Sequence, residues 1–490
     1  MLVVEPSGEV RASAYAEVPQ HFPRPGWVEH DPEQLWESVV STATAALERA
    51  GASGADVAAV GITNQRETTL LWERATGRPL HRAIVWQDRR TAERCARLVA
   101  DGAGPLVSER TGLVVDPYFS ATKLAWLLDH LEGARARAER GELCFGTVDA
   151  YLLWRASGGA VHATDRTNAS RTMLMDLAAA RWDEELCALF DVPPAVLPEI
   201  RASAGVFAES RPDLFAGIGA PLAALVGDQQ ASLFGQGCTA EGQTKTTYGT
   251  GSFVLQHAGT SVPEERAPLV VTAACAPSGE APEFAVEGSI FSTGATVQWL
   301  RDGLGIVTTA AETEQLAAGL AGNDDVWLVP ALAGLGAPVW DPSARGLLIG
   351  ATRGTTRAHL ARAALEATAY QTRDVLDAMS RAGRRVEELR ADGGATANSW
   401  LMQFQADVAG VPVDVASSRE TTALGAAHAA GLAVGLWSSR AEVARLRRSA
   451  RRYEPEMPEG EREALYARWL EARGRALAWA RTAGGETGRR

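Results

Sequence analysis

The stretch that most constrains this chain is residues 225–253, LVGDQQASLFGQGCTAEGQTKTTYGTGSF. An apolar run ends abruptly at Gly227-Asp228, and a later strand pattern ends in a Gly-Thr-Gly turn at residues 249–251. An Asp directly after a strand can accept a proton or position a metal-bound water. A Gly-Thr-Gly turn lets backbone N–H groups approach phosphate oxygens, because glycine has no side chain in the way. Each half alone is more often an ordinary strand end or hairpin turn, but together they indicate a phosphoryl-transfer site.

The composition of the chain excludes several other classes of protein. The net charge of -12 over 490 residues disfavours a nucleic-acid partner or an anionic membrane surface. The five cysteines are scattered without a Cys-x-x-Cys pair, so neither a disulfide framework nor a zinc site is indicated, which fits the cytoplasm. No apolar run approaches the roughly 20 residues of a membrane helix, and the first residues lack the basic region of a signal peptide.

Strand and helix patterns alternate on both sides of residue 236, which predicts two α/β domains, residues 1–236 and 237–490, with a cleft between them. Helix boundaries are marked clearly in places. Residues 31–34, Asp-Pro-Glu-Gln, predict a helix start, because Asp caps the first turn and Pro suits its first position. Gly51 predicts the end of that helix.

Three further features have a structural and a functional interpretation. Arg66-Glu67 follows a predicted strand and is either a surface ion pair or a clamp on a diol, because Glu accepts and Arg donates hydrogen bonds. Tyr118, at the tip of a loop, is more often a half-buried anchor than a ligand group. The Asp-Gly-Gly turn at 392–394 precedes a predicted helix and can bind an anion or a nucleotide, although glycine pairs often serve only as turns.

Eight blocks of sequence together resemble the glycerol kinases of the FGGY carbohydrate kinase family, and the resemblance runs through almost the whole chain. The blocks are GITNQRETTLLW (61–72), AIVWQDRRTAE (83–93), TGLVVDPYFSATK (111–123), TDRTNASRTMLMD (164–176), GDQQASLFGQ (227–236), TYGTGSF (247–253), GLGAPVWDPSARG (334–346) and DGGATANSWLMQFQADV (392–408). The resemblance implies two actin-like, ribonuclease-H-like domains that close over glycerol and ATP. It implies Mg²⁺ carried with the nucleotide, and sn-glycerol 3-phosphate and ADP as products.

The resemblance also assigns site residues. The glycerol contacts are Arg66, Glu67, Tyr118, Asp228 and Gln229, with Trp86 and Phe253 over the carbon chain. The nucleotide contacts are Thr250, Gly294, Gln298, Gly394 and Asn398, and no side chain is assigned to the metal. Asp228 is expected to take the proton of the attacking hydroxyl, while Mg²⁺ and backbone N–H groups stabilise the phosphoryl group. If Glu67 holds glycerol, Glu67→Gln should weaken glycerol binding and barely change the melting temperature.

The sequence departs from the family at its beginning. The family starts with a strand and an Asp-Gln-Gly-Thr-Thr-Ser-type turn that grips the phosphates and helps hold the metal. Residues 1–4 of this sequence align with the strand after that turn, so the first strand of the first domain is absent. We therefore expect the chain as written to be a truncated kinase with low solubility or impaired activity, which an upstream start codon would restore.

Two alternative functions remain open from the sequence. The chain is either a kinase of another polyol or ketose, or a non-catalytic protein that kept the polyol pocket and lost phosphoryl transfer. In every case we expect a cytoplasmic homodimer or homotetramer that binds small molecules, does not bind nucleic acid and does not insert into a membrane.

Overall fold

The computed structural model describes residues 1–264, 268–382 and 384–479. The described α-helices are α1 (Pro32–Ala50), α2 (Ala92–Ala100), α3 (Gly104–Thr111), α4 (Ser120–His130), α5 (Ala134–Glu139), α6 (Val148–Ala156), α7 (Arg166–Ala169), α8 (Glu184–Leu189), α9 (Asp228–Gly235), α10 (Gly294–Gln298), α11 (Glu312–Ala318), α12 (Arg357–Arg381), α13 (Ser399–Ala409), α14 (Thr421–Ala433), α15 (Arg440–Ala444) and α16 (Glu459–Arg475).

The described strands are β1 (Leu2–Val4), β2 (Val10–Ser13), β3 (Gln20–His21), β4 (Glu29–His30), β5 (Val60–Asn64), β6 (Leu70–Glu73), β7 (Ala83–Ile84), β8 (Leu143–Gly146), β9 (Ala163–Asp165), β10 (Met175–Asp176), β11 (Arg181–Trp182), β12 (Glu199–Arg201), β13 (Ala204–Glu209), β14 (Pro221–Gly227), β15 (Thr244–Tyr248), β16 (Ser252–Gly259), β17 (Val270–Ala273), β18 (Phe284–Ile290), β19 (Trp327–Val329), β20 (Leu347–Ile349), β21 (Leu389–Asp392), β22 (Val413–Ala416) and β23 (Ser449–Tyr453).

Local sequence rules account for helix α1. The side chain of Asp31 accepts a hydrogen bond from the backbone N–H of Glu33 at 2.9 Å, and Gly51 ends the helix in the left-handed conformation at φ 61°. Both predicted boundaries of this helix are confirmed. Residues 265–267, 383 and 480–490 of the predicted C-terminal domain lie outside the described residues.

A seven-stranded sheet organises the C-terminal half of the chain, in the order β17-β18-β16-β15-β21-β22-β23. Strand β15 lies inside this sheet, antiparallel to β16 and parallel to β21. Because β15 and β21 are parallel neighbours, the turns that follow them lie at the same edge of the sheet. The Gly-Thr-Gly turn after β15 and the Asp-Gly-Gly turn at the end of β21 therefore meet there.

The corresponding sheet of the N-terminal half is interrupted. Strands β13, β14 and β5 form one sheet in that order, whereas β1 and β2 form a separate hairpin. Between β1 and β5 lies a cavity of about 420 Å³, with walls that are mainly apolar. The apolar walls come from β1, β5, α1 and α14, and include Leu2, Val3, Val4, Val60, Ile62, Trp36, Val39, Leu47, Ala423 and Ala426.

Comparing the two halves shows which element would fill this cavity. In the C-terminal half, β15 separates the antiparallel strand β16 from the parallel strand β21. In the N-terminal half, the cavity separates hairpin β1–β2 from β5, and the described residues place no strand between them. The cavity thus has the position of a strand that would run antiparallel to β1 and parallel to β5.

The two halves meet along α9 and α14, where glycines let the helix backbones touch. A Cβ atom on Gly425 would lie 1.8 Å from the carbonyl oxygen of Ala231, and one on Gly235 would lie 2.1 Å from that of Thr421. Both distances are far below van der Waals contact, so only glycine fits at these positions. The glycines of α9 and α14 thus permit close packing of the two helices.

Two further observations concern the helices and the cysteines. In the ranges that the structure describes, no helix has both the length and the apolar character needed to cross a membrane. The five cysteines are all buried free thiols, as expected for a chain without a disulfide framework.

The cavity between β1 and β5 predicts an effect on stability. A short apolar strand, such as Ile-Val-Val-Thr-Val, fused ahead of Met1 through an Asn-Gly turn should raise the melting temperature by roughly 5 °C, because it fills the cavity and pairs with both open strand edges. Differential scanning calorimetry measures the shift. A fusion of the same length made of Gly and Ser is the matched control, and equal melting temperatures for the two fusions would contradict the prediction.

Candidate active site

The ends of two neighbouring strands bring the first group of site residues together. Strands β5 and β14 are parallel, and Asn64 pairs with Gly227 at their carboxyl ends. Arg66 and Glu67 follow β5, and Asp228 follows β14 as the first residue of α9. The Nε atom of Arg66 consequently lies 3.0 Å from Oδ1 of Asp228, although the two residues are far apart in sequence.

Arg66 and Glu67 do not form a surface ion pair, so that interpretation of the dipeptide is wrong. Both side chains are almost fully buried, with exposed fractions of 1% and 2%, and Arg66 Nε lies 3.8 Å from Glu67 Oε1. The backbone of Glu67 is in the left-handed region, at φ 62°, which is uncommon for a residue with a side chain. The strand thus ends in a sharp turn that directs both charged groups into the protein.

Two further buried residues complete a network of four alternating charges. Glu287, in the middle of β18, accepts hydrogen bonds from Arg66 Nη1 at 2.5 Å and from Arg66 Nη2 at 3.2 Å. Arg171 donates to Glu67 Oε1 at 2.6 Å and to Glu287 Oε1 at 3.0 Å. Burial alone would raise the pKa of Glu287, but the guanidinium groups of Arg171 and Arg66 outweigh it and lower the pKa to about 2. Each buried charge is paired, as burial requires.

Asp228, unlike the four residues of this network, is partly exposed to solvent. One third of its side chain is exposed, at 33%. Its Oδ2 atom accepts a hydrogen bond from Gln229 Nε2 at 3.2 Å, and the Oε1 atom of Gln229 accepts one from Lys245 Nζ at 2.6 Å. Burial lowers the pKa of Lys245 to about 8, while the carboxylates of Asp392 and Asp228 act in the opposite direction. Asp228 is therefore a hydrogen-bonded carboxylate with an accessible face.

Aromatic side chains stand beside these charges. Trp86 and Tyr118 are in edge-to-face contact with ring centroids 5.7 Å apart, and the guanidinium of Arg171 lies 5.6 Å from the Tyr118 ring. The guanidinium of Arg66 lies 5.8 Å from the ring of Phe253. Burial raises the pKa of Tyr118 well above its ordinary value, so its hydroxyl stays neutral. The three aromatic residues expected over the carbon chain and at the loop tip thus border the charged group.

The second group of predicted residues lies at the edge of the C-terminal sheet. The turn at 249–251 is tied to the start of α10, because the N–H of Gly294 donates to the carbonyl of Gly249 at 3.1 Å and that of Ala295 donates to Thr250 at 2.9 Å. On the neighbouring strand, Gly393 has φ 91°, and a Cβ atom there would lie 2.3 Å from the carbonyl oxygen of Tyr248. The two glycine turns are therefore in backbone contact, and Thr250, Gly294 and Gly394 share this edge.

Gln298 and Asn398 occupy less distinctive positions. Gln298 is exposed at the last residue of α10, where the helix continues as a π-helix at Trp299–Gly303. The side-chain oxygen of Asn398 caps α13 by accepting from the N–H of Leu401 at 2.9 Å, so its structural role is clear without a ligand. The helix that begins at Gly294 therefore changes its hydrogen-bonding pattern at Trp299.

Sequence reasoning missed Arg171, Glu287 and Lys245. Arg171 lies just after α7 in the polar stretch 164–172, and Glu287 is a charge inside a buried strand. Lys245 has a compositional signal. The chain contains only two lysines, Lys123 and Lys245, among its 48 basic residues, and both are fully buried. At these two enclosed positions a compact ammonium group is present, whereas every other basic residue is an arginine with a larger, planar group.

Lys123 supports the aromatic side of the site. Its Nζ atom donates to the carbonyl oxygens of Pro117 at 3.0 Å and Tyr118 at 2.6 Å. It thereby fixes the backbone of the loop that carries the Tyr118 ring. Both lysines of the chain thus contact residues of the candidate site or the loop that holds them.

The residues that the structure describes contain no group of three or more His, Cys, Asp or Glu side chains arranged to hold a metal ion. The carboxylate of Asp392 is engaged by hydroxyl and amide donors from Ser232, Gln236 and Thr421. Asp228 is the carboxylate of the site with an exposed face. With one partly exposed carboxylate, the site suits a Mg²⁺ ion that is held chiefly by phosphate oxygens and water and by one or two carboxylates at most.

The two α/β halves thus share a buried network of charges beside a partly exposed carboxylate, and two glycine turns lie at the edge of the C-terminal sheet. The model of the N-terminal domain of the FGGY family of carbohydrate kinases matches residues 1–235, and the C-terminal-domain model matches residues 244–434. The chain belongs to the FGGY family of carbohydrate kinases.

Close relatives within that family are glycerol kinases. The chain is 55% identical to the glycerol kinase of Dechloromonas aromatica over 474 residues, which is 96% of this chain and 94% of the relative. It is 52% identical to glycerol kinase 2 of Thermotoga maritima over 479 residues, 98% and 96% of the two chains. The crystal structure of Plasmodium falciparum glycerol kinase with ADP superimposes with a TM-score of 0.90 at 33% identity, covering 97% of this chain and 95% of that one.

The buried network predicts a large stability effect at Arg171. Arg171→Met should lower the free energy of unfolding by about 3–5 kcal/mol, because it leaves buried carboxylates without their partner. Urea denaturation measures the loss. Arg97→Met, which removes an exposed ion pair with Glu93, is the matched control and should cost about 0–1 kcal/mol. Equal losses for the two variants would show that the Arg171 network is not a buried ion pair in solution.

Proposed function

We propose that the chain is an ATP-dependent glycerol kinase that forms sn-glycerol 3-phosphate and ADP. The observation that carries the proposal is Asp228, a partly exposed carboxylate at the end of β14, bordered by Arg66 and Gln229. Its surroundings combine hydrogen-bonding groups for a small polyol with aromatic walls. Family membership and relatives that are glycerol kinases at 52–56% identity support the same substrate.

Glycerol is held by groups that saturate its hydroxyls. Arg66 donates hydrogen bonds and Glu67 accepts them, so the pair grips two neighbouring hydroxyls. Trp86 and Phe253 cover the carbon chain and exclude water, which strengthens each polar contact. A site built to pair with substrate hydroxyls discriminates strongly against molecules that leave those groups unpaired.

Asp228 acts as the general base. Its accessible carboxylate takes the proton of the hydroxyl that attacks the γ-phosphate of ATP. The ion pair with Arg66 and the hydrogen bonds from Gln229 fix the orientation of both carboxylate oxygens. Since phosphoryl transfer depends mainly on positioning and on stabilising charge, this orientation is the main contribution of the N-terminal half.

The nucleotide is bound at the edge of the C-terminal sheet. Backbone N–H groups of the turns at 249–251 and 393–394 approach the phosphates, and Gly294, Gln298 and Asn398 complete this side of the cleft. Mg²⁺ bound with ATP supplies charge neutralisation at the phosphate oxygens.

The remaining expectations are part of the same proposal. We place the boundary between the domains at residue 236, with the reaction in the cytoplasm and the protein a homodimer or homotetramer.

Two alternative functions can be distinguished from this proposal with a panel of substrates. Turnover of a pentulose or another polyol in preference to glycerol, in a coupled ADP assay, would establish the kinase of another substrate. Glycerol binding in calorimetry without any ADP release would establish a non-catalytic polyol-binding protein.

Replacing the base tests the mechanism. Asp228→Asn keeps the shape of the side chain and removes its basicity, so the turnover number should fall by roughly 10²–10⁴-fold. Coupled ADP release measures turnover, and calorimetry with glycerol checks that the pocket is intact. A loss of less than about 10-fold with normal glycerol affinity would exclude Asp228 as the base.

Replacing the clamp tests substrate binding. Glu67→Gln should weaken glycerol binding by about 1–3 kcal/mol, because a buried hydrogen-bonded charge is left half-paired. Arg171 also donates a hydrogen bond to Glu67, so the same change disturbs a buried ion pair. The melting temperature of Glu67→Gln should therefore fall, which corrects the expectation that it stays almost unchanged. A lower melting temperature with unchanged glycerol affinity would show that Glu67 only supports the fold.

A further inference from the structure

Each oxygen of the Asp228 carboxylate lies next to a different side chain, and Oδ1 also accepts a hydrogen bond from the backbone N–H of Gln229 at 2.8 Å. Arg66 Nε lies 3.0 Å from Oδ1, and Gln229 Nε2 donates to Oδ2 at 3.2 Å. Arg66, Asp228 and Gln229 all belong to the N-terminal half. Arginine and glutamine side chains have several rotatable bonds, so neither holds a carboxylate in one orientation unless its own end is fixed.

The end of Arg66 is fixed from the other half of the chain. Glu287 in β18 accepts from both terminal nitrogens of the guanidinium, at 2.5 and 3.2 Å, and Nε is the guanidinium nitrogen that forms the ion pair with Asp228. This two-point contact sets the plane of the guanidinium as well as its position. Arg171 holds Glu287 in turn, at 3.0 Å.

The end of Gln229 is fixed in the same way. Lys245 in β15 donates from Nζ to Gln229 Oε1 at 2.6 Å and to Thr247 Oγ1 at 2.9 Å. Because an ammonium group only donates, it selects the orientation of the amide in which the oxygen faces Lys245 and the nitrogen faces Asp228. Without Lys245, the amide can rotate and place its oxygen against the carboxylate.

We propose that Lys245 and Glu287 are positioning residues that let the C-terminal half orient the Asp228 carboxylate, one oxygen each. The proposal rests on the proposed function of Asp228 as the base. Both side chains are fully buried and neither contacts Asp228 directly in the described hydrogen bonds, so they act through Gln229 and Arg66. The base is therefore correctly oriented only while β15 and β18 are docked against the N-terminal half.

Double-mutant cycles with Asp228→Asn test this coupling. Lys245→Met and Glu287→Gln are each made in the wild-type chain and in Asp228→Asn, and kcat is measured at saturating glycerol and ATP. We expect each to lower kcat by roughly 10–100-fold in the wild-type chain, as for a misplaced catalytic group. In the Asp228→Asn chain the same changes should lower kcat by less than about 3-fold, because the group they orient is already disabled.

A positive charge at position 245 is not enough by itself to orient the amide of Gln229. A third variant tests this point. Lys245→Arg keeps the positive charge but places a larger, planar group in a fully enclosed position. It should therefore lower kcat as Lys245→Met does. Wild-type turnover in Lys245→Arg would overturn the claim that a single directed ammonium donor is needed.

A control and a milder variant separate positioning from folding. Glu283→Gln removes a buried carboxylate next to β18 that bonds His257 and Arg440, and should change kcat by less than about 2-fold. If circular dichroism shows that Glu287→Gln does not fold, Glu287→Asp, which keeps the charge and shortens its reach, takes its place in the cycle.

The outcomes separate this proposal from the proposed function. Equal fold-losses of kcat in both backgrounds would mean that Lys245 and Glu287 only support the structure, and would overturn the proposal while leaving Asp228 as the base. Unchanged kcat in the single variants would also overturn it. Normal turnover in Asp228→Asn alone would instead show that the assignment of the base has failed, and the proposal with it.

Discussion

The buried guanidinium of Arg66 is the interaction on which the candidate site depends. It follows β5 in the N-terminal half, and it meets Glu287 from the C-terminal half and Asp228 from α9. A buried charge is tolerated only when its partners are in place, so these three groups are stable together and costly apart. The same contact that joins the two halves of the chain therefore also places Arg66 beside Asp228.

The helix α9 links the two sides of the cleft. It begins at Asp228, and one turn later Ser232 donates to the carboxylate of Asp392 at 3.0 Å, next to the glycine turn of β21. Gly235, at its end, lets α14 approach within backbone contact. A single short helix thus connects Asp228 with the glycine turn at the end of β21. This arrangement suits a reaction in which positioning two substrates is the larger part of catalysis.

The sequence predicted the residues that come directly after strands, and it missed their distant partners. Asp228 and Arg66-Glu67 could be found because an apolar run that stops at a charged residue marks a strand end. Glu287 and Arg171 could not be paired with them, because no local pattern states which buried charges meet across a chain. The same limit explains why Arg66-Glu67 remained open to interpretation as a surface pair until its burial was known. The two lysines were visible in the composition, but their meaning required the contacts of Lys245 with Gln229.

A structure of the chain with glycerol and a non-hydrolysable ATP analogue tests the central claim most directly, since it locates the reacting groups. A glycerol hydroxyl should lie about 3 Å from the Asp228 carboxylate, in line with the γ-phosphate, with Arg66 and Glu67 on the other hydroxyls. The phosphates should lie against the turns at 249–251 and 393–394. Glycerol bound away from Asp228, or a carboxylate turned from the γ-phosphate while both ligands are bound, would contradict the site described here.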